Sequence, residues 1–251
     1  SAGGDLPALT IAKPDGAITT ESHNPYLGDS TASKYGYAKV VFEPLALVNP
    51  TGDLGTTPWL AESVEWNDDY TELTVVPRAD VTWSDGEPFT GDDIVFTFDQ
   101  FLSGKLTDSS GLNYQGATVD GDKITLKFGN SKYTAQARVL HTPIVPKHIW
   151  ENIEDPNTDP LTEDGLAVGT GPYVLDNWTT ESVTLVANED YWGGEPVVPA
   201  LNYVSYGDNA ALTTENNLSG VVAITGNQLT NAAWHGVDIV NYSGTITNAN
   251  I

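Results

Sequence analysis

The sequence predicts an α/β protein, and three observations support that class. A turn at Ser84-Asp85-Gly86 leads directly into a capped amphipathic helix. Pairs of extended runs joined by turn residues predict β-hairpins on both sides of this helix. Hydrophobic residues make up 39% of the 251 residues, which is enough for a substantial core and argues against general disorder.

The helix begins after Thr90, a good N-cap residue, and Asp93 stands three residues later in the capping-box position. Apolar residues follow at the spacing of one helical face, and Gly104 ends the helix. That face consists of Ile94, Val95, Phe98, Phe101 and Leu102. The adjacent acids Asp92 and Asp93 are interpreted as stabilising the helix N-terminus, because neighbouring helical side chains diverge and make a poor acid–base pair.

Three segments precede this helix. A weakly alternating run predicts a strand around 9–12. Pro44 disfavours a regular strand over 39–47, which predicts a helix end that passes into an extended segment. Two extended runs, 64–66 and 72–77, flank an Asn-Asp-Asp turn and predict a hairpin.

A second hairpin is predicted after the helix, over 117–128. Its Asp120-Gly121 pair suits a type I′ turn, and alternate residues of its second strand are apolar. The remaining elements predicted from the residues are a short helix over 135–140 and a hairpin over 173–187.

The chain is strongly acidic, with a formal net charge of −24 and no Lys or Arg after Lys147. The negative electrostatic field of such a chain repels phosphates, which excludes nucleic-acid binding through phosphate neutralisation. It also excludes attraction to an anionic membrane. Two interpretations stay open: a solvated acidic surface, or an attraction for a cationic ligand. The sequence has no cysteine, which excludes disulfides, thiol catalysis and iron–sulfur clusters.

No sequence motif predicts catalysis or a cofactor. The four histidines lack metal-ligand spacing, and no nucleophile motif is present. Gly169-Thr170-Gly171 lacks the further glycine and lysine of a phosphate-binding loop. We interpret this triplet as a tight backbone passage between strands.

Several blocks resemble the family 5 extracellular solute-binding proteins, which are receptors of ABC importers. The most specific block is W-S-D-G-E-P-F-T-G-D-D-I-V-F-T-F, at residues 83–98. The other blocks, in the family's order, are P-W-L-A-E-S at 58–63, I-V-P-K-H-I-W at 144–150, G-T-G-P-Y at 169–173 and N-E-D-Y-W-G-G at 188–194. The match is weaker at 218–224, where Val221 and Ala223 replace the family's Glu and Asp.

This resemblance implies a periplasmic-binding-protein type II lobe with a mixed sheet, flanking helices and an inserted hairpin-rich subdomain. Residues 1–44 would start lobe I, 45–165 would form the inserted subdomain, and 166–251 would return to lobe I. The family also implies a strand over 201–206 and a last strand over 237–251 that crosses toward the second lobe. Family proteins are much longer, so the chain resembles their N-terminal portion, with the second lobe absent. A lipid-bearing cysteine before Ser1 is a further expectation from the family.

The implied function is an extracytoplasmic, monomeric receptor that delivers oligopeptides to the permease of an ABC importer by closure of two lobes. It would be a non-enzymatic cell-surface or periplasmic protein. Oligosaccharide is the alternative ligand, because the chain has seven tryptophans and few basic residues for a ligand carboxylate. Two hypotheses of other classes are a secreted carbohydrate-active enzyme and a surface adhesion module.

The resemblance also indicates candidate ligand-binding residues. Glu21, Ser22 and His23 occupy the polar loop after the first strand, which lies beside the ligand cleft in the family. Asn227 falls where the family has polar residues beside the cleft. Trp178, in a predicted hairpin turn, and Trp234 lie outside the family's sequence blocks. Both are candidates for stacking on a ligand. The tryptophans expected in the core are Trp83, Trp150 and Trp192.

Overall fold

Two four-stranded sheets and a two-stranded sheet form the computed structural model, which describes residues 7–13, 19–49 and 55–205. The strands are β1 Leu9–Lys13, β2 Ala46–Val48, β3 Thr56–Pro58, β4 Ala61–Trp66, β5 Glu72–Pro77, β6 Tyr114–Asp120, β7 Lys123–Phe128, β8 Tyr173–Trp178, β9 Ser182–Ala187 and β10 Ala200–Ser205. The helices are α1 Thr31–Tyr35, α2 Ala38–Val41, α3 Gly91–Leu102, α4 Gln136–Leu140 and α5 Lys147–Trp150. The strand predicted over 237–251 lies outside the described residues.

The first sheet has the strand order β1-β10-β9-β8 and is mixed. β8, β9 and β10 are antiparallel neighbours, whereas β1 pairs with β10 in parallel, with Ile11 opposite Tyr203. The carboxyl ends of β1 and β10 therefore lie at the same edge of this sheet, and so does that of β8. The predicted hairpin over 173–187 and the following strand are confirmed.

The second sheet has the order β4-β5-β7-β6 and is entirely antiparallel. It confirms the hairpins predicted around 64–77 and 117–128. The predicted type I′ turn is wrong, because that turn needs positive φ at both central residues. Gly121 has φ 63°, but Asp122 is not among the described residues with positive φ.

The capping prediction for α3 is confirmed, and Asp93 does more than was predicted. Its Oδ2 atom accepts the Thr90 backbone N–H at 2.8 Å. Its Oδ1 atom accepts the backbone N–H of Lys147 at 2.9 Å. The carboxylate therefore joins the start of α3 to the start of α5 as well as capping its own helix.

The prediction of the apolar face of α3 is confirmed at Ile94 and Phe98 and is wrong at Leu102. Ile94 and Phe98 are fully buried, but Leu102 is 52% exposed. Thr97 is buried instead, and its hydroxyl donates to the Asp93 carbonyl and accepts the Val145 N–H. On its core side, α3 therefore contacts the segment before α5 through a hydrogen bond as well as through apolar packing.

Two hydrophobic clusters fill the described part of the chain. One lies around the second sheet and α3 and includes Trp83, Phe98, Leu73 and Ile124. The other lies around the first sheet and the short helices, and includes Trp150, Tyr37, Val183 and Leu185. Trp83 and Trp150 are core residues as predicted, while Trp192 is partly buried against the first of these clusters.

The Gly169-Thr170-Gly171 passage is as tight as the sequence predicted. A Cβ atom at Gly169 would lie 1.8 Å from the Val41 carbonyl oxygen, and one at Gly171 would lie 2.2 Å from that of Val40. The Gly171 N–H donates to the Val41 carbonyl at 3.0 Å. Only glycine lets the segment before β8 approach α2 this closely.

A buried carboxylate connects this passage to distant parts of the chain. Glu43, 2% exposed, accepts the Trp59 indole N–H and the Tyr191 hydroxyl at Oε1, each at 2.7 Å. Its Oε2 atom accepts the Thr170 hydroxyl and the Trp192 indole N–H, each at 2.9 Å. Four neutral donors therefore hold one buried charge, which removes much of the cost of its desolvation.

We predict that Glu43→Gln lowers the free energy of unfolding by about 3 kcal/mol, because the amide nitrogen cannot accept and leaves buried donors without a partner. Urea unfolding followed by tryptophan fluorescence measures this. Glu163→Gln, at an exposed position, is the matched control and should change stability by less than about 0.5 kcal/mol. Equal effects of the two substitutions would contradict the role given to Glu43.

A second prediction compares two glycines. Gly169→Ala should destabilise the fold by about 2 kcal/mol or more, because the new methyl group collides with backbone that cannot move aside. Gly28→Ala has open space and no positive φ, so it should be neutral or stabilise by about 0.5 kcal/mol. Thermal unfolding of both variants checks the contrast, and a neutral Gly169→Ala would refute the tight passage.

Candidate functional site

The candidate site lies at the edge of the first sheet where β1 and β10 end. Ligands of open α/β sheets bind outside the carboxyl ends of the strands. The next described residues after β1 are 19–30, which contain the polar loop with the predicted site residues. The loop is followed directly by α1 and α2, whose side chains pack on the first sheet.

Hydrogen bonds hold this loop in place from two sides. The Ser22 N–H donates to the Thr31 hydroxyl at 3.2 Å, and the Ser22 carbonyl accepts the Ala32 N–H at 3.1 Å. On the other side, the Asn24 amide donates to the carbonyls of Pro156 and Asp159, at 2.9 and 2.8 Å. The loop conformation is therefore largely formed before any ligand arrives.

His23 is the centre of a buried polar network. The residue is only 1% exposed, with Nδ1 2.6 Å from the Tyr37 hydroxyl and Nε2 2.9 Å from Glu21 Oε1. Burial lowers the pKa of His23, and the hydrogen bond that its Nε2 makes to the Glu21 carboxylate opposes this only in part. The neutral imidazole thus donates its Nε2–H to the carboxylate, and its Nδ1 accepts the Tyr37 hydroxyl hydrogen.

Tyr37, the tyrosine bonded to this imidazole, belongs to a cluster of three tyrosines. The ring of Tyr203 lies 5.8 Å from that of Tyr37 and 6.4 Å from that of Tyr35. Burial raises the pKa of Tyr37, with smaller contributions from nearby Glu21, Tyr35 and Tyr203. Burial also raises the pKa of Tyr203 to about 12. The hydroxyls of Tyr37 and Tyr203 therefore stay protonated at neutral pH, and that of Tyr37 donates to His23.

Two hydroxyls here have no hydrogen-bond partner among the described residues. They are Ser22 Oγ and the Tyr35 hydroxyl, on residues that are both more than nine-tenths buried. Buried polar atoms are normally bonded to protein or ordered water, so each such atom needs an explanation.

Glu21 is the exposed end of the network. Its side chain is 35% exposed, and His23 is its one ion-pair partner in the described segments. Its Oε1 atom takes the hydrogen bond from His23, whereas no hydrogen bond to Oε2 occurs among those segments. The Glu21 side chain is therefore partly exposed and is oriented by His23 through one of its carboxylate oxygens.

The structure places Trp178 differently from the predicted hairpin turn. It is the last residue of β8, two strands away from Tyr203, with Val183 of β9 between them. Its ring packs against the core cluster of the first sheet, and its indole N–H has no partner in the described part. The predicted residues Asn227 and Trp234 lie outside the described residues.

Two surface recesses lie away from the loop residues 21–23. One, of about 280 Å³, surrounds the start of α3, where His148 Nε2 lies 2.7 Å from Asp85 Oδ2. The other, of about 260 Å³, lies between Tyr26, Phe101 and α4. In the described ranges no cluster of three or more acidic or histidine side chains is arranged to hold a metal ion. None of the described helices is long and apolar enough to cross a bilayer.

Comparisons of this chain with known proteins match it to a single family. The family model for "Bacterial extracellular solute-binding proteins, family 5 Middle" matches residues 55–237. Protein XP55 of Streptomyces lividans is 34% identical over 209 residues, which are 77% of this chain and 37% of that protein. The oligopeptide-binding protein AppA of Bacillus subtilis is 32% identical over 167 residues, 61% of this chain and 30% of that protein.

A solved structure agrees with these matches. The periplasmic oligopeptide-binding protein of Thermotoga maritima, with mannohexaose bound, superposes with a TM-score of 0.70 and 28% identity. The superposition covers 82% of this chain and 39% of the other. The chain thus spans between three and four tenths of the length of these relatives.

The buried network gives a pH prediction. His23 should titrate below its ordinary pKa of 6.5, so the unfolded chain binds more protons than the folded chain just below that pH. The free energy of unfolding should therefore fall as the pH drops from 6.5 and stop falling, for this group, below the folded pKa. NMR titration of the imidazole measures the pKa directly, and a value at or above 6.5 would contradict the network. His23→Gln should remove this part of the pH dependence.

Proposed function

Because the chain belongs to the family 5 bacterial extracellular solute-binding proteins, we propose that it captures oligopeptides outside the cytoplasm and delivers them to an ABC importer. The observation that carries the proposal is the family match, which extends over residues 55–237. The name of the 32%-identical Bacillus subtilis relative supports peptide as the ligand class. Its partner would be the importer's permease, and the receptor would act as a monomer, anchored at the surface as a lipoprotein.

The proposed division of lobe I into 1–44, 45–165 and 166–251 is supported by the two sheets. Strands of the first sheet come from residues 9–13 and 173–205, whereas strands of the second sheet come from residues 61–128. In this proposal the second sheet belongs to the inserted subdomain, and the edge formed by β1 and β10 faces the ligand cleft.

The work of the protein in this proposal is binding without bond-making. Affinity would come from burying the ligand in a largely preformed cleft that offers a few placed polar groups, and from closure of two lobes. Glu21, Ser22 and His23 would provide groups from the loop after β1. Trp178, Asn227 and Trp234 remain proposed ligand contacts, with Trp178 as an apolar surface near the strand ends.

Oligosaccharide is the second candidate ligand, and one observation favours it. The Thermotoga maritima protein, itself described as oligopeptide-binding, holds mannohexaose in its solved structure. A secreted carbohydrate-active enzyme is the less favoured hypothesis and requires turnover of a glycan.

The proposal predicts a ligand-dependent rise in melting temperature for the protein as its gene encodes it. A casein peptide pool and mannohexaose are suitable probes. A ligand that binds only the folded state adds about 2.7 kcal/mol of stability at a hundred times its Kd, and the gain grows with the logarithm of concentration. Free glucose is the control and should cause no shift. Absence of a shift with every probe, or hydrolysis of the glycan, would refute a receptor function.

A further inference from the structure

A recess beside the end of α3 is lined by both apolar and polar side chains. Its volume of about 260 Å³ is close to the lower end of ligand pockets, which begin at about 300 Å³. Tyr26, Phe101 and Leu106 contribute apolar surface, and Arg138 belongs to the same lining. Side-chain hydroxyls complete it, from Thr107, Ser109, Ser110 and Thr142. A small molecule with an apolar body and a polar end would match these groups.

Hydrogen bonds within the chain hold the walls of this recess. The Asn157 side chain accepts the Thr107 N–H at 2.8 Å and donates to the Lys105 carbonyl at 2.6 Å, which fixes the loop after α3. The Tyr26 hydroxyl donates to the Pro143 carbonyl and so ties the loop after β1 to the segment after α4. Walls that are already fixed reduce the entropy lost when a ligand binds between them.

Arg138 brings a guanidinium group that has no carboxylate partner in the described ranges. Its Nη1 atom donates to the Ser110 carbonyl at 2.9 Å, which uses one of its five N–H groups. None of the described ion pairs includes it. The chain's other arginine, Arg78, donates from Nε and Nη2 to the two oxygens of Asp80, at 2.9 and 2.8 Å. Arg138 has the same planar fork, which suits bidentate binding of a carboxylate from a ligand.

Positive charge also collects around this recess, although the chain as a whole is acidic. Burial lowers the pKa of Lys132, Asp108 opposes this, and the nearby Arg138 adds to it. Burial likewise lowers the pKa of His141, which lines the recess, with a contribution from Lys39. The carboxylate of Asp108 accepts backbone N–H groups of its own loop. Distant charges are screened beyond about 8 Å at physiological salt, so the nearby cations decide which ligand charge is favoured.

We propose that this recess binds a small monocarboxylate with an apolar body, and that Arg138 pairs with the carboxylate. The aliphatic or aromatic part of such an acid packs against Tyr26 and Phe101, and the rim hydroxyls donate to the carboxylate oxygens. The inference goes beyond the proposed receptor function, because the recess lies away from the polar loop residues 21–23 and takes an anion. The two sites are independent, so failure of one leaves the other in place.

The test uses phenylacetate as the probe and phenylacetamide as a neutral control of nearly the same shape. Both are titrated into the protein as its gene encodes it, and binding is measured by isothermal calorimetry and saturation-transfer NMR. Phenylacetate should bind at least about tenfold more tightly, because the guanidinium forms charge-assisted hydrogen bonds with the acid alone. The cation 2-phenylethylamine should not bind. Equal binding of acid and amide, or binding of neither, would overturn the proposal.

Three variants locate the site. Arg138→Gln should lose the preference for phenylacetate over the amide, whereas Lys123→Gln makes the same change of charge at an exposed position and should keep it. Ser109→Phe fills the exposed rim of the recess, retains Arg138 and should weaken binding of both probes. A preference that survives Arg138→Gln, or full binding by Ser109→Phe, would refute the assignment of this recess. The comparison of acid and amide on the wild-type protein decides the proposal even if a variant does not fold.

Discussion

One buried carboxylate determines how the segments of this chain meet. Glu43 has no described cationic partner, and its two oxygens are held by four neutral donors. The donors come from the entry to β4, from the glycine passage before β8 and from the segment between β9 and β10. A buried charge with any donor missing is costly, so all of these segments must be in place together. This single residue therefore couples the second sheet to the frame of the first.

The candidate site depends on that frame through the first sheet. The glycine passage brings the start of β8 against α2, and α1 and α2 connect the polar loop to the sheet. The carboxyl ends of β1, β10 and β8 lie at one edge of the first sheet. In the network of Glu21, His23 and Tyr37 the imidazole is buried and the Glu21 side chain is partly exposed. A frame held together in this way, with a polar loop already formed, is compatible with the binding function that we propose.

Local signals account for most of the fold that was predicted correctly. Turn residues and alternation located the hairpins, and the Thr90–Asp93 capping box located α3. The three wrong details concern choices that depend on surroundings. Leu102 matches the helical period but is 52% exposed, because burial depends on which elements pack against the helix. Gly121 has positive φ without a second such residue after it, a choice that an Asp-Gly pair does not fix. Trp178 continues β8 and pairs with Val183 instead of lying in the turn. Family resemblance, and not local pattern, supplied the lobe architecture.

The sequence by itself determined the class of elements, their order, the family and the strong negative charge, because these depend on neighbouring residues and on composition. The tertiary structure decided the partners of Glu43, two of which lie 148 and 149 residues away. The residues around this acid, Phe42 and Pro44 in a largely apolar run, indicate none of these partners. The tertiary structure likewise decided that His23 is buried and that the Glu21 side chain is partly exposed. Burial and hydrogen bonding between distant segments exist only after the chain has folded, so local periodicity carries no information about them.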